Sequence, residues 1–324
     1  MKQINIGLLG IGNVGGGTYQ ILNNNHDVIS ERTDADIRVT KALTHNLNKK
    51  RKFEIPSDIL TTNADEILND SNINIIVEAL GGIEPASTYM LKAMQSGKHV
   101  VTANKAAVAA NYEKLMTVAN ENNVMLLTEA CVAGAIPALA SIQTSLQGNR
   151  FYEVSGILNG TTNYIMSKMY NEGLAYADVL KDAQAKGFAE ADPTDDVMGY
   201  DIANKLSILV ALTFNQYIHP KDIPTVGITN ITKEDIDIAK TNGTKIKLIG
   251  SAILSETGKL SCSVKPVNIN CTHPLFSVDN EFNAVYLKGD AFGELMYYGK
   301  GAGPLPTGSA VVGDIISIIN NIWR

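Results

Sequence analysis

Two hydrophobic rhythms alternate over residues 1–130. Continuous apolar runs at 4–9, 37–44, 73–80, 98–102 and 124–128 are separated by stretches whose apolar residues recur at helical spacing, one following Gly15 to about Asn23, then 84–95 and 112–122. Short unbroken runs suit strands buried on both faces, and the helical period suits helices with one face on a core. Strands that alternate with helices predict an α/β fold built on a Rossmann-type, doubly wound parallel sheet.

Beyond Glu129 the rhythm changes. The stretch EACVAGAIP is small and turn-like and marks a domain boundary; a strand follows at 154–158, then a loop at 159–163, helices at 164–170 and 176–186, and a helix that opens at 193–196 and runs to Phe214. Strands at 246–254, 260–267, 284–288 and 294–298 predict one mixed sheet, and a last helix at 309–319 carries an apolar face that returns to the first domain. Two domains are thus expected, residues 1–130 completed by the C-terminal segment 304–324, and residues 131–303 as a second α/β domain, which suits a chain of 324 residues.

The first apolar run breaks into Gly10, Ile11, Gly12, Asn13, Val14 and Gly15 and then into a helix, which is GxGxxG in the setting a dinucleotide needs. Gly10 permits the tight turn, Gly12 lets a pyrophosphate approach the backbone, and Gly15 lets helix and strand pack closely; N–H groups at the helix start, from Asn13 and Val14 on, then face the phosphates. Ligands of such sheets bind beyond the carboxyl ends of the strands. The glycine loop, ALGG at 79–82 and TANK at 102–105 all fall there, which brings Lys105 near the cofactor unless it is a plain surface lysine. The second strand ends in Thr44, His45 and Asn46 instead of an acid for the ribose hydroxyls, and Lys49, Lys50, Arg51 and Lys52 follow. A missing acid beside a cluster of bases favours a 2′-phosphate, hence NADP over NAD; a solvated charged loop is the plainer alternative.

The stretch GFAEADPTDDVMGYDIANKL, 187–206, concentrates chemistry. Pro193 with Thr194, Asp195 and Asp196 reads as a helix start. On that helix Asp201 and Lys205 stand four apart on one face, and from Leu206 the sequence LSILVALTF is apolar nearly all round, so the lysine enters a buried element. Burial lowers a lysine pKa and a neighbouring carboxylate raises it, a balance that can poise Lys205 for proton transfer. An exposed Asp201–Lys205 pair of small energetic weight fits the same spacing equally well.

Charge and cysteines narrow the class. With 27 Lys and Arg against 33 Asp and Glu the net charge is −6, which favours neither nucleic acid nor an anionic membrane as partner. No run approaches the length of a membrane span, and the N-terminal run belongs to a strand, not a signal peptide. Cys131, Cys262 and Cys271 form no CxxC pair, which points to a reducing, cytoplasmic setting without disulfides or zinc.

In this order, GLLGIGNVG, VVTANKA, EACVAGAIP, GILNGTTNYI, KGFAEADPTDDVMGYDIANKL and GKGAGPLPTGSAVVGD resemble homoserine dehydrogenase over essentially the whole chain. The resemblance implies NAD(P)-dependent interconversion of L-homoserine and L-aspartate 4-semialdehyde, on the route to threonine, methionine and isoleucine. It implies that Lys205 moves the proton at the substrate oxygen with Lys105 as its partner, that Glu190 and Asp201 hold the amino acid with Asp196 in support, and that Gly187 and Gly303 approach the ligands. It implies a monovalent cation, typically sodium, on Glu129 and the carbonyls of Val132, Gly134 and Ile136, an all-oxygen set that suits a hard cation. It also implies a homodimer formed through the second, substrate-binding domain. Two departures stand out: His45 and Asn46 replace a frequent Arg-Asp pair, and the chain ends at Arg324 without the ACT regulatory domain of many relatives, so threonine feedback through such a domain is not expected.

Two rival readings compete. Aspartate-semialdehyde dehydrogenase chemistry would need a cysteine nucleophile and a histidine base, for which Cys131 is the sole candidate thiol near a plausible cleft and no histidine has a fitting setting. A non-catalytic NADP-binding sensor would keep the fold but has no chemical need for Lys105 and Lys205 together.

Overall fold

The apolar run that opens the chain becomes strand β1 (Lys2–Leu9), with Ile4, Ile6, Leu8 and Leu9 fully buried. In the computed structural model residues 1–322 are described. The first part continues through α1 (Asn13–Asn24), α2 (His26–Thr33), β2 (Ala35–Leu43), β3 (Leu60–Thr61), α3 (Asp65–Leu68), β4 (Ile75–Glu78), α4 (Ala86–Gln95), β5 (His99–Thr102), α5 (Lys105–Glu121) and β6 (Leu126–Leu127). Then come α6 (Ala138–Gln143), β7 (Phe151–Ile157), α7 (Gly160–Glu172), α8 (Tyr176–Ala185), α9 (Thr194–Val197), α10 (Tyr200–Phe214), α11 (Lys233–Thr241), β8 (Thr244–Leu254), β9 (Leu260–Asn270), β10 (Phe282–Gly289), β11 (Gly293–Lys300) and finally α12 (Pro304–Ile322). The chain divides into two compact units, Met1–Ala135 with Ala302–Arg324, and Ile136–Gly301.

In the first unit six parallel strands lie in the order β3-β2-β1-β4-β5-β6. The order reverses between β1 and β4, and that crevice is where an open α/β sheet takes its ligand. Helix α12 belongs to this unit. Val311, Ile315 and Ile318 on it are fully buried in one core with Ile4, Ile6 and Leu8 of β1. Its contact with α1 is close enough that a Cβ on Gly17 would stand 2.2 Å from the carbonyl oxygen of Pro304.

In the second unit five strands lie in the order β11-β10-β7-β8-β9, with every neighbouring pair antiparallel. The expected mixed sheet is therefore corrected: β8–β9 and β10–β11 are joined by hairpin-like connections, and β7 enters between β10 and β8 with antiparallel pairing on both sides. Helix α10 packs on this sheet, where Ile202 lies against Gly250 of β8. Lys247 of β8 is 1% exposed, and its ammonium is satisfied by Asn163 Oδ1 (3.0 Å), the Val278 carbonyl (2.6 Å) and Asp279 Oδ1 (2.8 Å). Asn163 in turn donates to the carbonyls of Val278 and Phe282, so a fully bonded polar group ties α7 to the sheet.

The expected helix from Pro193 to Phe214 is two helices, because Gly199 at φ +86 breaks it between α9 and α10. The 159–163 loop is the cap and first turn of α7: Asn159 Oδ1 accepts from the Thr162 N–H at 2.9 Å. Likewise Lys105 is the first residue of α5 and not a loop residue. Asn104 caps that helix by accepting from Ala107 N–H, and a kink at Asn111 precedes the part beginning at Tyr112.

Candidate active site

The glycine loop and the basic loop meet in the first unit. A cavity of about 450 Å³ is lined by Gly10, Gly12, Asn13, Thr44, His45, Asn46 and the bases Lys49, Lys50, Arg51 and Lys52. A Cβ on Gly15 would stand 2.0 Å from the Gly10 carbonyl oxygen, whereas one on Gly12 meets nothing within 4 Å, so the loop is closed on its inner side and open where a ligand would lie. Helix α1 starts at Asn13 with no side-chain cap, leaving first-turn N–H groups for an anion. Arg51 is held in place by bonds to Thr44 Oγ1 (3.2 Å) and the Asn46 carbonyl (2.7 Å). Phe53, next after the bases, packs its ring on Gly16 of α1, where a Cβ would be 2.4 Å away. The residues present fit a dinucleotide.

Glu78, a residue the sequence reading passed over, organises the neighbouring strand ends. It is fully buried at the end of β4, accepts from Leu80 N–H (2.8 Å) and Thr102 Oγ1 (2.5 Å), and takes a long bond from Asn104 Nδ2 (3.4 Å). Asn104 also donates to the Gly82 carbonyl at 2.7 Å, so one carboxyl fixes both the 79–82 loop and the start of α5 that carries half-buried Lys105. Burial pushes the Glu78 carboxyl up, against the pull of these bonds. The signal missed was an acid ending an otherwise apolar strand.

Cys131 is buried, donates weakly to the Thr102 carbonyl at 3.3 Å, and has its thiol pushed well up by burial, which removes it as a nucleophile. Glu129 is buried and its backbone N–H donates to Asp314 Oδ2 of α12 at 2.9 Å. Burial, then the charge of Glu129, drives the Asp314 carboxyl up to about 8. Val132 and Gly134 follow in the same unit, on a turn with Ala133 at φ +56 and Gly134 at φ +59, while Ile136 opens the second unit. Gly303, at φ +126, immediately precedes α12.

The second unit brings Lys205, Asp201 and Asp196 together. Lys205 Nζ donates to Asp201 Oδ2 (2.7 Å) and to the Leu158 carbonyl (2.6 Å), with side chains only 10% and 8% exposed for lysine and aspartate. Asn159, the residue after Leu158, donates through Nδ2 to Asp196 Oδ1 (2.6 Å) and Asp201 Oδ2 (2.9 Å). Burial, followed by the nearby Asp201, raises the Asp196 carboxyl. The buried-pair reading of Asp201 and Lys205 thus holds over the exposed one. Glu190 is exposed on the loop between α8 and α9, where its backbone carbonyl accepts from Gln184 Nε2 at 3.1 Å. Gly187, at φ +76, opens that loop, and Thr161 Oγ1 anchors it on the Phe188 carbonyl at 2.6 Å.

A parallel sheet with a glycine loop at its switch point, and a shielded lysine among carboxylates in a second unit, define a nicotinamide-dependent oxidoreductase. The sequence model described as homoserine dehydrogenase, NAD binding domain, matches residues 10–129, and that described as homoserine dehydrogenase matches 137–316. A homoserine dehydrogenase of Bacillus subtilis is 42% identical over 99% of this chain and 74% of its own length. The crystal structure of one from Thiobacillus denitrificans matches with a TM-score of 0.93 at 42% identity, over 98% of this chain and 74% of that one. A hyperthermophilic archaeal homoserine dehydrogenase solved in complex with NADPH shares the fold at a TM-score of 0.81 and 24% identity, covering 99% of this chain and 98% of that one. The chain belongs to the homoserine dehydrogenase family. It is an NAD(P)-dependent oxidoreductase acting on a CH–OH group, interconverting L-homoserine and L-aspartate 4-semialdehyde.

Proposed function

We propose that Lys205 is the group that takes the hydroxyl proton of L-homoserine and returns it in reduction. The observation that carries this is the shielded Lys205 amino group held by Asp201 and the Leu158 carbonyl; as the neutral amine it takes the proton and becomes the ammonium, and as the ammonium it returns that proton in reduction. Oxidising a primary alcohol needs an acceptor for hydride at carbon and one for the proton at oxygen; a bound nicotinamide supplies the first. Lys105 is its partner at the cofactor side, Asp201 and exposed Glu190 hold the substrate ammonium, and Asp196 supports Asp201. Gly187 and Gly303 give the ligands backbone access. Replacing Lys205 by Ala should leave NADP titrating as before while turnover falls by several orders of magnitude; loss of cofactor binding would sink the assignment.

The preferred cofactor is NADP. The cavity lined by Lys49, Lys50, Arg51 and Lys52, with no acid at the end of β2, supports this. Neutralising the four bases together should raise Kd for NADP far more than for NAD; equal weakening would mean that the loop does not read the 2′-phosphate. A monovalent cation, sodium as the family resemblance implies, is held by Glu129 and the carbonyls of Val132, Gly134 and Ile136, an all-oxygen set that suits a hard cation. The enzyme works in the cytoplasm in threonine, methionine and isoleucine synthesis, which agrees with three unpaired cysteines. It is a homodimer through the second unit, where Met296 and Tyr298 stand exposed on edge strand β11.

A further inference from the structure

We infer that Asn159 is the positioning residue of this site, a neutral double donor that holds Asp196 and Asp201 side by side and thereby fixes Lys205. The inference rests on the reading of Lys205 as the proton-transfer group and adds a residue to it. Every hydrogen-bonding valence of the buried Asn159 side chain is used. Nδ2 donates once to Asp196 and once to Asp201, and Oδ1 accepts the Thr162 N–H at 2.9 Å and Thr162 Oγ1 at 3.0 Å. The amide therefore has a single orientation, set by the helix cap on one side and the two acids on the other.

Consequences follow for each neighbour. Asp196 arrives on α9 and Asp201 on α10, with Gly199 breaking the helix between them, so no continuous helix fixes their spacing. Two carboxylates that close repel one another, and burial adds to the cost of charging both. The Asn159 amide supplies one N–H to each, which favours their ionised forms. Lys205 is then aimed by two acceptors that both depend on this point: Asp201 Oδ2, which also accepts from Asn159, and the carbonyl of Leu158, the preceding residue. The groups bonded to the Asn159 side chain are Asp196 from α9, Asp201 from α10 and Thr162 from α7, while Thr161 bonds Asp196 and Lys205 bonds Asp201.

Capping and positioning can be separated because aspartate caps a helix as well as asparagine does. Asn159→Asp keeps the acceptor for Thr162 but turns a donor toward two acceptors into a third acceptor. Three carboxyls must then share a proton that the wild type does not need. The expected result is an unchanged Kd for NADP, a Tm lowered at pH 7 and recovering as the pH falls and the clustered carboxyls take up protons, kcat lowered by about 100-fold as expected for a displaced reacting group, and an acid limb of the kcat–pH profile moved to higher pH. Wild-type kcat and an unmoved acid limb would overturn the inference. Should the aspartate variant fail to fold, Asn159→Ser keeps a capping oxygen but is too short to span both acids. Lowered kcat at held Tm then supports positioning, and wild-type kcat overturns it. Lys205→Ala run alongside separates the failures: normal turnover there would sink the proton-transfer reading itself, whereas loss there with wild-type turnover in Asn159→Asp sinks the positioning role alone.

Discussion

Removing the ammonium of Lys205 while leaving Asp201 in place should cost the second unit far more than an ordinary helix pair could. The two side chains are 10% and 8% exposed and 2.7 Å apart, so the change strands a buried carboxylate and leaves the Leu158 carbonyl without this donor. Breaking such a buried pair from one side costs about 3–5 kcal/mol, whereas an exposed pair four residues apart is worth about 0.3–0.5 kcal/mol. Lys205→Met is the perturbation, with Lys205→Met/Asp201→Asn closing the cycle. In the double variant position 201 no longer carries an unpaired charge, and the amide oxygen introduced by Asp201→Asn would still accept from Asn159. It should therefore recover most of the loss, about 2–3 kcal/mol. A chain of two units need not unfold in one step, so urea unfolding is followed by hydrogen exchange at α10. A loss below about 1 kcal/mol in the single variant, with additive effects in the double, would mean that water reaches the pair and would refute the shielding on which the lysine argument stands.

The glycine loop gives a paired test. Gly15→Ala, whose Cβ would meet the Gly10 carbonyl at 2.0 Å, should lower Tm and abolish NADP binding together, whereas Gly12→Ala, with open space around its Cβ, should keep Tm and weaken only binding; a Gly12→Ala enzyme that binds normally would show that no ligand passes there. Asp196 gives a pH test. Burial raises its folded-state pKa above the ordinary 3.8, so the fold carries a cost that is absent below that pH and grows as pH rises toward the folded value. Asp196→Asn should accordingly raise Tm at pH 7 and leave it unchanged at pH 3; an equal fall at both would show that the carboxylate itself holds α9 in place.

Much of this was legible in the sequence because the signals are local. The parallel sheet follows from apolar runs alternating with helical period, and the dinucleotide loop from glycines at the junction of β1 and α1. What was lost depended on single side chains or distant partners. The start of α7 read as a loop because NGTTN looks like turn chemistry until Asn159 is seen as a cap. The first part of α5, KAAVAAN, lacks large apolar residues to mark a period, so the sequence placed the helix start at Tyr112 and not at Lys105. Helix α11 was missed although its Thr232–Asp235 capping box is written in the sequence; short and polar, it shows little apolar stripe. Whether Asp201 and Lys205 are shielded could not be told from spacing, since the sheet that buries them comes from strands far along the chain. Glu78 and Asn159 were passed over for the same reason: their partners, Thr102 and Asp201, lie 24 and 42 residues away.

The most direct test of the account is absorbance at the reduced-nicotinamide band when L-homoserine is added to the enzyme with NADP or with NAD, wild type and Lys205→Ala side by side. The account predicts homoserine-dependent reduction by the wild type, favouring NADP, and its disappearance in a variant that still binds NADP. Comparable reduction by Lys205→Ala, or none by the wild type with either cofactor, would contradict it.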